Sequence, residues 1–218
     1  VASGYPRFTE GARYWLQWAG APDSVYTPSR NVNDYTDDYR CRGLWVNWLT
    51  GGSSMLPDSK GLRIPVDLSF AWHSDAGTTL NDSIIGTLGI YCTDGQERGT
   101  EYANGTSRYA SRDFTDLVMT NITNDIRRTF EPNWTRRGMW DQSYYEARVP
   151  EVPGMLLELL SHQNFADMKY GLDPEFRFVV SRAVYKGMLQ FLASRDGYDY
   201  VVQPLPVHNI AVTAAGKD

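Results

Sequence analysis

Two side chains stand out for the chemistry their surroundings would give them, His73 and Glu158. His73 follows the run Ile64-Pro-Val-Asp-Leu-Ser-Phe-Ala-Trp72, whose alternation predicts a strand. Ile64, Val66, Leu68, Phe70 and Trp72 would take one face, and Asp67, Ser69, Ala71 and His73 the other. The residues after it, Ser-Asp-Ala-Gly, read as a loop, and α/β sheets place their sites where strand ends open into such loops. His73 is therefore a candidate metal ligand or acid/base, the bland alternative being a ring bonded to nearby backbone. Asp75 would face the same way if the strand continues. Glu158 lies within Val152-Pro-Gly-Met-Leu-Leu-Glu-Leu-Leu160, an acid inside an apolar run. An unpaired carboxylate there is costly, or its pKa rises, as a general base working near neutral pH requires. A glutamate at a strand end pointing into water is the competing reading. His162 stands four residues after Glu158, which is not the spacing of a helix with two histidines flanking a catalytic glutamate. His208 falls in the tail. Neither a serine nucleophile elbow nor a phosphate-binding glycine loop is present.

The elements that must position these residues alternate in type. A first helix is expected from Thr9 to Gly20, with Thr9 as N-cap and Glu10 in its first turn. Ser24–Thr27 reads as a short strand, and Asp34 as the cap of a helix reaching about Leu49, with Trp45 and Trp48 on one face. Gly51–Gly61 is a loop by composition, and Ser83–Tyr91 a second β-rich run. Ser107–Phe130 carries the stripe Phe114, Leu117, Val118, Ile122, Ile126 of a long helix. Met139–Arg148 reads as extended, and Val152–Leu160 as an apolar strand. Asp173-Pro174-Glu175 opens a last helix that ends before Gly197. This order favours a single α/β domain over residues 1–200, a mixed, mostly parallel sheet covered by helices. From Pro204 the alternating tail suggests that 201–218 is a linker and the first strand of a following β-sandwich module.

Composition narrows the partners. A net charge of −5 with no basic run sets nucleic acid aside, and no stretch approaches the roughly 20 apolar residues of a membrane span. Seven Trp and fourteen Tyr suit either an aromatic core or a surface that meets carbohydrate. Cys41 and Cys92 form no CxxC pair, so thiolate zinc is disfavoured, while a disulfide between them and two free thiols both remain open. Without an initial Met or a signal segment, the chain reads as a processed or excised piece of a longer multidomain protein.

Several segments taken in order resemble the zinc-dependent N-acetylmuramoyl-L-alanine amidases that cleave peptidoglycan. Glu10 in Phe-Thr-Glu-Gly-Ala-Arg is similar to that family's glutamate ligand at a helix start. Tyr39-Arg-Cys-Arg-Gly-Leu-Trp-Val-Asn47 resembles its arginine-containing helix, and Val66–Asp75 its strand ending in a zinc-binding histidine. Arg137-Gly138-Met139 resembles a further short motif. Glu151-Val-Pro-Gly-Met-Leu-Leu-Glu158 resembles the segment that runs into the catalytic glutamate. The family's first ligand is a histidine before the Glu10 position, and this chain has none before His73; that ligand either lies upstream of Val1 or is absent, with Asp75 or His162 as residues that could complete the set.

The resemblance implies a zinc amidase (phosphorylase/hydrolase-like) fold and an extracytoplasmic hydrolase acting on an amide bond in peptidoglycan or a related glycopeptide. Glu10 and His73 would be ligands to Zn2+ and Glu158 the catalytic base. Two other functions stay in view: a polysaccharide lyase of the xanthan type, and a non-catalytic wall- or glycan-binding module with the same fold.

Overall fold

A computed structural model describes residues 11–96 and 99–203. In chain order they form α1 (Ala12–Trp18), α2 (Asp23–Tyr26), α3 (Asp34–Thr50), β1 (Ser69–Asp75), β2 (Thr87–Tyr91) and α4 (Tyr109–Thr129). There follow β3 (Arg136–Asp141), α5 (Tyr145–Arg148), β4 (Gly154–Ser161), α6 (Phe165–Gly171) and α7 (Pro174–Asp196). The strands lie in one sheet in the order β1-β4-β2-β3. β1 runs parallel to β4 and β2 parallel to β3, while β2 and β4 are antiparallel. The sheet is thus mixed with two of its three pairings parallel, as the alternating order of elements implies.

Helix boundaries follow local chemistry. The side chain of Asn33, one residue before the expected Asp34, caps α3 by accepting from the Thr36 amide at 2.9 Å. Asp34 and Asp37 then occupy the first turn, where the helix dipole favours anions. α7 opens as read, with the Asp173 carboxylate accepting from the Glu175 amide at 2.8 Å and Pro174 leading the helix. It stops at Gly197, whose φ of 71° a residue with a Cβ rarely adopts.

The main core lies between one face of the sheet and α4 with α7. Phe114, Val118, Ile122 and Ile126 meet Val180, Ala183 and Val184 above Met155, Leu157 and Leu159 of β4. Fully burying one such side chain contributes roughly 1.5–3 kcal/mol. On the opposite face Leu156, Leu88, Ile90 and Ala71 form a smaller cluster. A third, of Ala21, Val25, Leu44, Leu56 and Val149, joins the first three helices to the rest. The helices α4 and α7 touch where Gly187 leaves room, since a Cβ there would stand 2.7 Å from the Val118 Cα.

Four expectations are corrected. Ser24–Thr27 is not a strand: it falls in and just after the single helical turn α2, which Pro22 caps at its start and beyond which the Thr27 hydroxyl donates to the Asp23 carbonyl. The strand expected from Ile64 begins only at Ser69, because Leu62 and Ile64 donate their amides to the Trp48 and Leu49 carbonyls at the end of α3. Pro65 also lacks an N–H for a ladder. The run from Ser83 becomes strand only at Thr87, the Ile85 and Gly86 amides being taken by Asp167. Met139–Arg148 divides into the end of β3 and the turn of helix α5. α6 was not expected, although Asn164 caps it by accepting from the Asp167 amide at 2.9 Å. The Thr9 cap, Glu10, His208 and the strand expected in the tail lie outside the described residues. Among the described residues no helix is long and apolar enough to cross a membrane.

Both cysteines are free and buried. Burial pushes the Cys41 thiol up to about 12 and raises Cys92 as well. Since the thiolate is the reactive form, native protein at pH 8 should react negligibly with a thiol reagent and yield two thiols after unfolding in urea; modification at the native rate of a free peptide thiol would contradict this burial. Gly187→Ala should lower stability by roughly 1–3 kcal/mol in denaturant unfolding, because the added methyl meets the Val118 backbone as well as its Cγ2.

Candidate active site

The parallel register of β1 and β4 sets His73 directly opposite Glu158. Directly opposed residues point to the same side of a sheet, so imidazole and carboxyl share the face opposite the main core. Leu88 of β2 is opposite Glu158 on its other side. β1 continues two residues past His73, with a register shift that sets Asp75 against Ser161. Such irregularities re-aim side chains at sheet ends.

The His73 ring is held from the α5 side, its Nε2 lying 2.8 Å from the Glu146 Oε2. Glu146 also meets Arg42 of α3 at 3.5 Å, and Arg42 meets Asp38 at 2.7 Å. The hydrogen bond to Glu146 raises the His73 pKa above its ordinary value, against the opposing effect of burial. Asp75 is paired with Arg137 of β3 at 2.5 Å. Burial pushes its pKa up, but Arg137 and the Ala76 amide outweigh that and hold it below its ordinary value.

Glu158 is the member without such a partner. Its Oε2 is buried and makes no hydrogen bond. Burial raises its pKa, and the nearby carboxylates of Asp75 and Glu146 push the same way. His73 and Arg137 oppose the rise. This is the setting of a carboxyl that is a stronger base than an exposed glutamate.

Three buried polar groups fix the frame. The Asn47 side chain, fully buried, donates to the Val149 carbonyl at 3.0 Å and accepts from the Glu151 amide at 2.8 Å, tying α3 to the approach of β4. The Ser111 hydroxyl of α4 accepts from the Gly154 amide at the start of β4. Beyond Glu158, the buried Asp167 carboxylate accepts from the amides of Ser161, Ile85 and Gly86. A carboxylate satisfied by three backbone donors is stable in the interior.

Of the residues singled out from sequence, His73, Glu158 and Asp75 come together here. His162 does not join them: its Nδ1 lies 3.1 Å from the Ser74 hydroxyl. Glu10 lies outside the described residues. Glu146 is the residue that sequence reading missed, placed within a segment read as extended and marked by no motif. Among the described residues no three His, Cys, Asp or Glu groups are arranged to hold a metal. These residues alone therefore do not complete a zinc site, and the Nε2 of His73 is engaged by Glu146.

A cleft of about 580 Å3 opens beside His73 and Glu146, walled by α1, α3 and β1. Ala12 at the start of α1, Arg42 and Trp45 of α3, and Trp72 of β1 line it. A second cleft, of about 620 Å3, reaches His73 from the α7 side, past Ser74, His162 and Arg177.

No protein-family model matches the chain, and no curated protein matches it. Solved structures do. An N-acetylmuramoyl-L-alanine amidase from Clostridium difficile 630 superposes with a TM-score of 0.51 at 15% identity, covering 79% of this chain and 80% of that one. The CwlD amidase of Clostridioides difficile, solved with the GerS lipoprotein, gives 0.51 and 15% over 86% of this chain and 83% of that one. The amidase AmiC2 of Nostoc punctiforme is covered over 58% of its length at 16% identity and a TM-score of 0.45, so the chain spans less than two thirds of that protein. The chain has the fold of the N-acetylmuramoyl-L-alanine amidases, at a low level of sequence identity.

Proposed function

We propose that this chain is a divergent, extracytoplasmic hydrolase of an amide bond in peptidoglycan or a related glycopeptide. The observation that carries the reading is the pairing of His73 with Glu158 across β1 and β4, with a buried carboxylate oxygen left unpartnered beside the imidazole. The amidase fold is consistent with it.

In this reading Glu158 takes a proton from water as the water oxygen bonds to the carbonyl carbon. As the carbon–nitrogen bond breaks, the same carboxyl returns the proton to the leaving amine. Burial suits the task, since a raised pKa makes the carboxylate a stronger base than an exposed glutamate. Glu146 orients the His73 ring, and Arg42 holds Glu146 in turn. Arg137 and Asp75 neutralise each other beside the reacting carboxyl.

Zinc dependence is part of the proposal. The ligands drawn from this chain would be His73 and Glu10, with the Glu146 carboxylate already next to the ring nitrogen. A zinc ion, when bound, would polarise the scissile carbonyl and lower the pKa of water.

The activity test is release of a free amino group from a muropeptide by the unvaried chain and by Glu158→Gln. Removing the base should slow turnover by about a hundredfold to ten-thousandfold with the unfolding midpoint nearly unchanged. Wild-type rates from Glu158→Gln would falsify the assignment, and an ultraviolet-absorbing unsaturated sugar would identify a lyase instead. For the metal, calorimetric zinc titration of the chain should show one site that His73→Ala weakens by at least the roughly tenfold that loss of even an outer partner costs. Equal zinc affinity in the variant removes His73 from the ligand set.

A further inference from the structure

A further cavity lies on the far side of α3 from the catalytic pair. Helical spacing turns Arg40 and Leu44 toward it, while Arg42 and Trp45 face the cleft beside His73. Its volume is about 600 Å3, within the range of about 300–1,000 Å3 of small-molecule sites. Arg30, Arg40, Asp58 and Tyr145 line it, with Leu44 and Met55 as its apolar part. Arg30 has a left-handed backbone, φ 60°, beside Asn31 at φ 62°. Such backbone is uncommon for a long side chain and persists where the surroundings fix it. Here Arg13 of α1 donates to the Asn31 Oδ1 at 2.6 Å and so holds the turn that carries Arg30.

The charges of this cavity are left open. Among the described residues neither Arg30 nor Arg40 pairs with a carboxylate, and Asp58 meets no cation. Half-buried Arg40 donates only its Nε, to the Tyr39 hydroxyl at 3.2 Å, and its guanidinium lies 5.7 Å from the centre of the Tyr145 ring. The remaining acid of the lining, Asp23, is engaged by the Tyr26 hydroxyl. An anion without a positive group would meet Asp58 as well as the arginines, and a plain cation would meet two guanidinium groups. A ligand that carries both charges satisfies all three. The planar guanidinium fork matches a carboxylate, and Asp58 an ammonium.

We propose that this cavity binds a short peptide with both termini free, its carboxylate on Arg30 and Arg40 and its ammonium on Asp58, and that occupancy is felt at His73. The site stands without the hydrolase reading, although cleaving an amide on a peptide frees an amine and so yields a ligand of this class. The link runs through α5. Arg40 and Arg42, two residues apart on α3, hold two successive residues of that single turn, Tyr145 and Glu146. Glu146 in turn holds the His73 ring at 2.8 Å. A carboxylate that draws Arg40 off the Tyr145 ring loosens one of these two grips and leaves the other, which re-aims Glu146 against the imidazole.

The test is calorimetric titration of the chain with L-alanyl-L-alanine. One saturable site is expected, weakened about tenfold or more by Arg40→Gln and by Asp58→Asn, the size of one lost hydrogen bond to a charged group. Neither side chain has an ion-pair partner to lose, so the unfolding midpoints should stay close to that of the unvaried chain. N-acetyl-L-alanyl-L-alanine and L-alanyl-L-alaninamide, each lacking one charge, should bind as weakly as the dipeptide does to the variants. Absence of saturable binding, an unchanged Kd in either variant, or equal binding of the acetylated peptide overturns the proposal. So does inorganic phosphate that displaces the dipeptide, which would make this a plain anion site. For the link, the His73 ring resonances should move at saturation in the unvaried chain; rings that stay still overturn it. Release of amine from a muropeptide, measured on the same protein, keeps the two readings apart. Dipeptide binding without amine release keeps this site and sinks the hydrolase, and amine release without dipeptide binding does the reverse.

Discussion

Parallel pairing of β1 with β4 is the constraint from which the site follows. Two parallel neighbours cannot be joined by a tight turn, so the chain must leave the sheet and return. Here it returns only after β2, α4, β3 and α5 have been built, which lets one excursion deliver Glu146 above the strand pair and Arg137 to its end. The pairing also has no tolerance for slippage. Met155, Leu157 and Leu159 face the main core, so shifting β4 by one residue would drive Glu158 among Phe114, Val118 and Val180 and turn leucines toward the cleft. The apolar alternation that builds the fold is thus the same device that aims the carboxyl. Asn47 and Ser111 at the start of β4, and Asp167 at its end, hold the register with buried hydrogen bonds from three different helices.

The charges around this pair are arranged so that one group is left over. Asp38, Arg42, Glu146 and His73 form an alternating chain, and Asp75 and Arg137 form a closed pair. Exposed ion pairs are worth about 0–1 kcal/mol, so the value of these partly buried ones lies more in position than in stability. Each side chain in the chain of four is restrained by the next, and the last of them is the ring beside Glu158. The carboxyl itself has neighbours of both signs but no hydrogen bond at its buried oxygen. A purely structural glutamate in an apolar strand would find a donor, since a buried unsatisfied polar atom costs roughly 1–3 kcal/mol.

Legibility from sequence tracked how local the cause was. The α7 start, set by Asp173, Pro174 and Glu175, was readable because capping is decided within four residues. Glu158 was readable because an acid breaking an apolar alternation is a local anomaly. His73 was readable as lying near a strand end, yet the strand's start was misplaced by five residues. Its cause lay in Trp48 and Leu49, whose carbonyls capture the Leu62 and Ile64 amides, and no pattern in the strand itself shows that. Glu146 was illegible for the same reason: its importance comes from α5 being folded over β1, and Tyr144 to Arg148 carries no motif. The late start of β2 came from Asp167, far along the chain. Whether the many tryptophans belong to core or surface had no sequence answer, and the structure divides them. Trp134 is fully buried with its indole donating to Thr87, Trp48 packs against the small helical core, and Trp45 opens into the cleft.

A buried carboxyl that must act as a base faces opposing demands. Raising its pKa strengthens it as a base but reduces the fraction ionised at a given pH, so the best value lies near the working pH rather than far above it. Burial alone would push Glu158 without limit in one direction, and the carboxylates of Asp75 and Glu146 add to that push. The counterweights are the positive groups of the same cluster, His73 and Arg137. Both are themselves tethered by acids, His73 by Glu146 and Arg137 by Asp75, so neither can swing over to neutralise Glu158 outright. Tethering therefore limits the pull of the cations on Glu158 to through-space attraction, and its buried oxygen makes no hydrogen bond. A direct salt bridge from Arg137 to Glu158 would satisfy that oxygen and lower its pKa, leaving a stable strand and a weak base. With Arg137 paired to Asp75, the structure shows no such bridge.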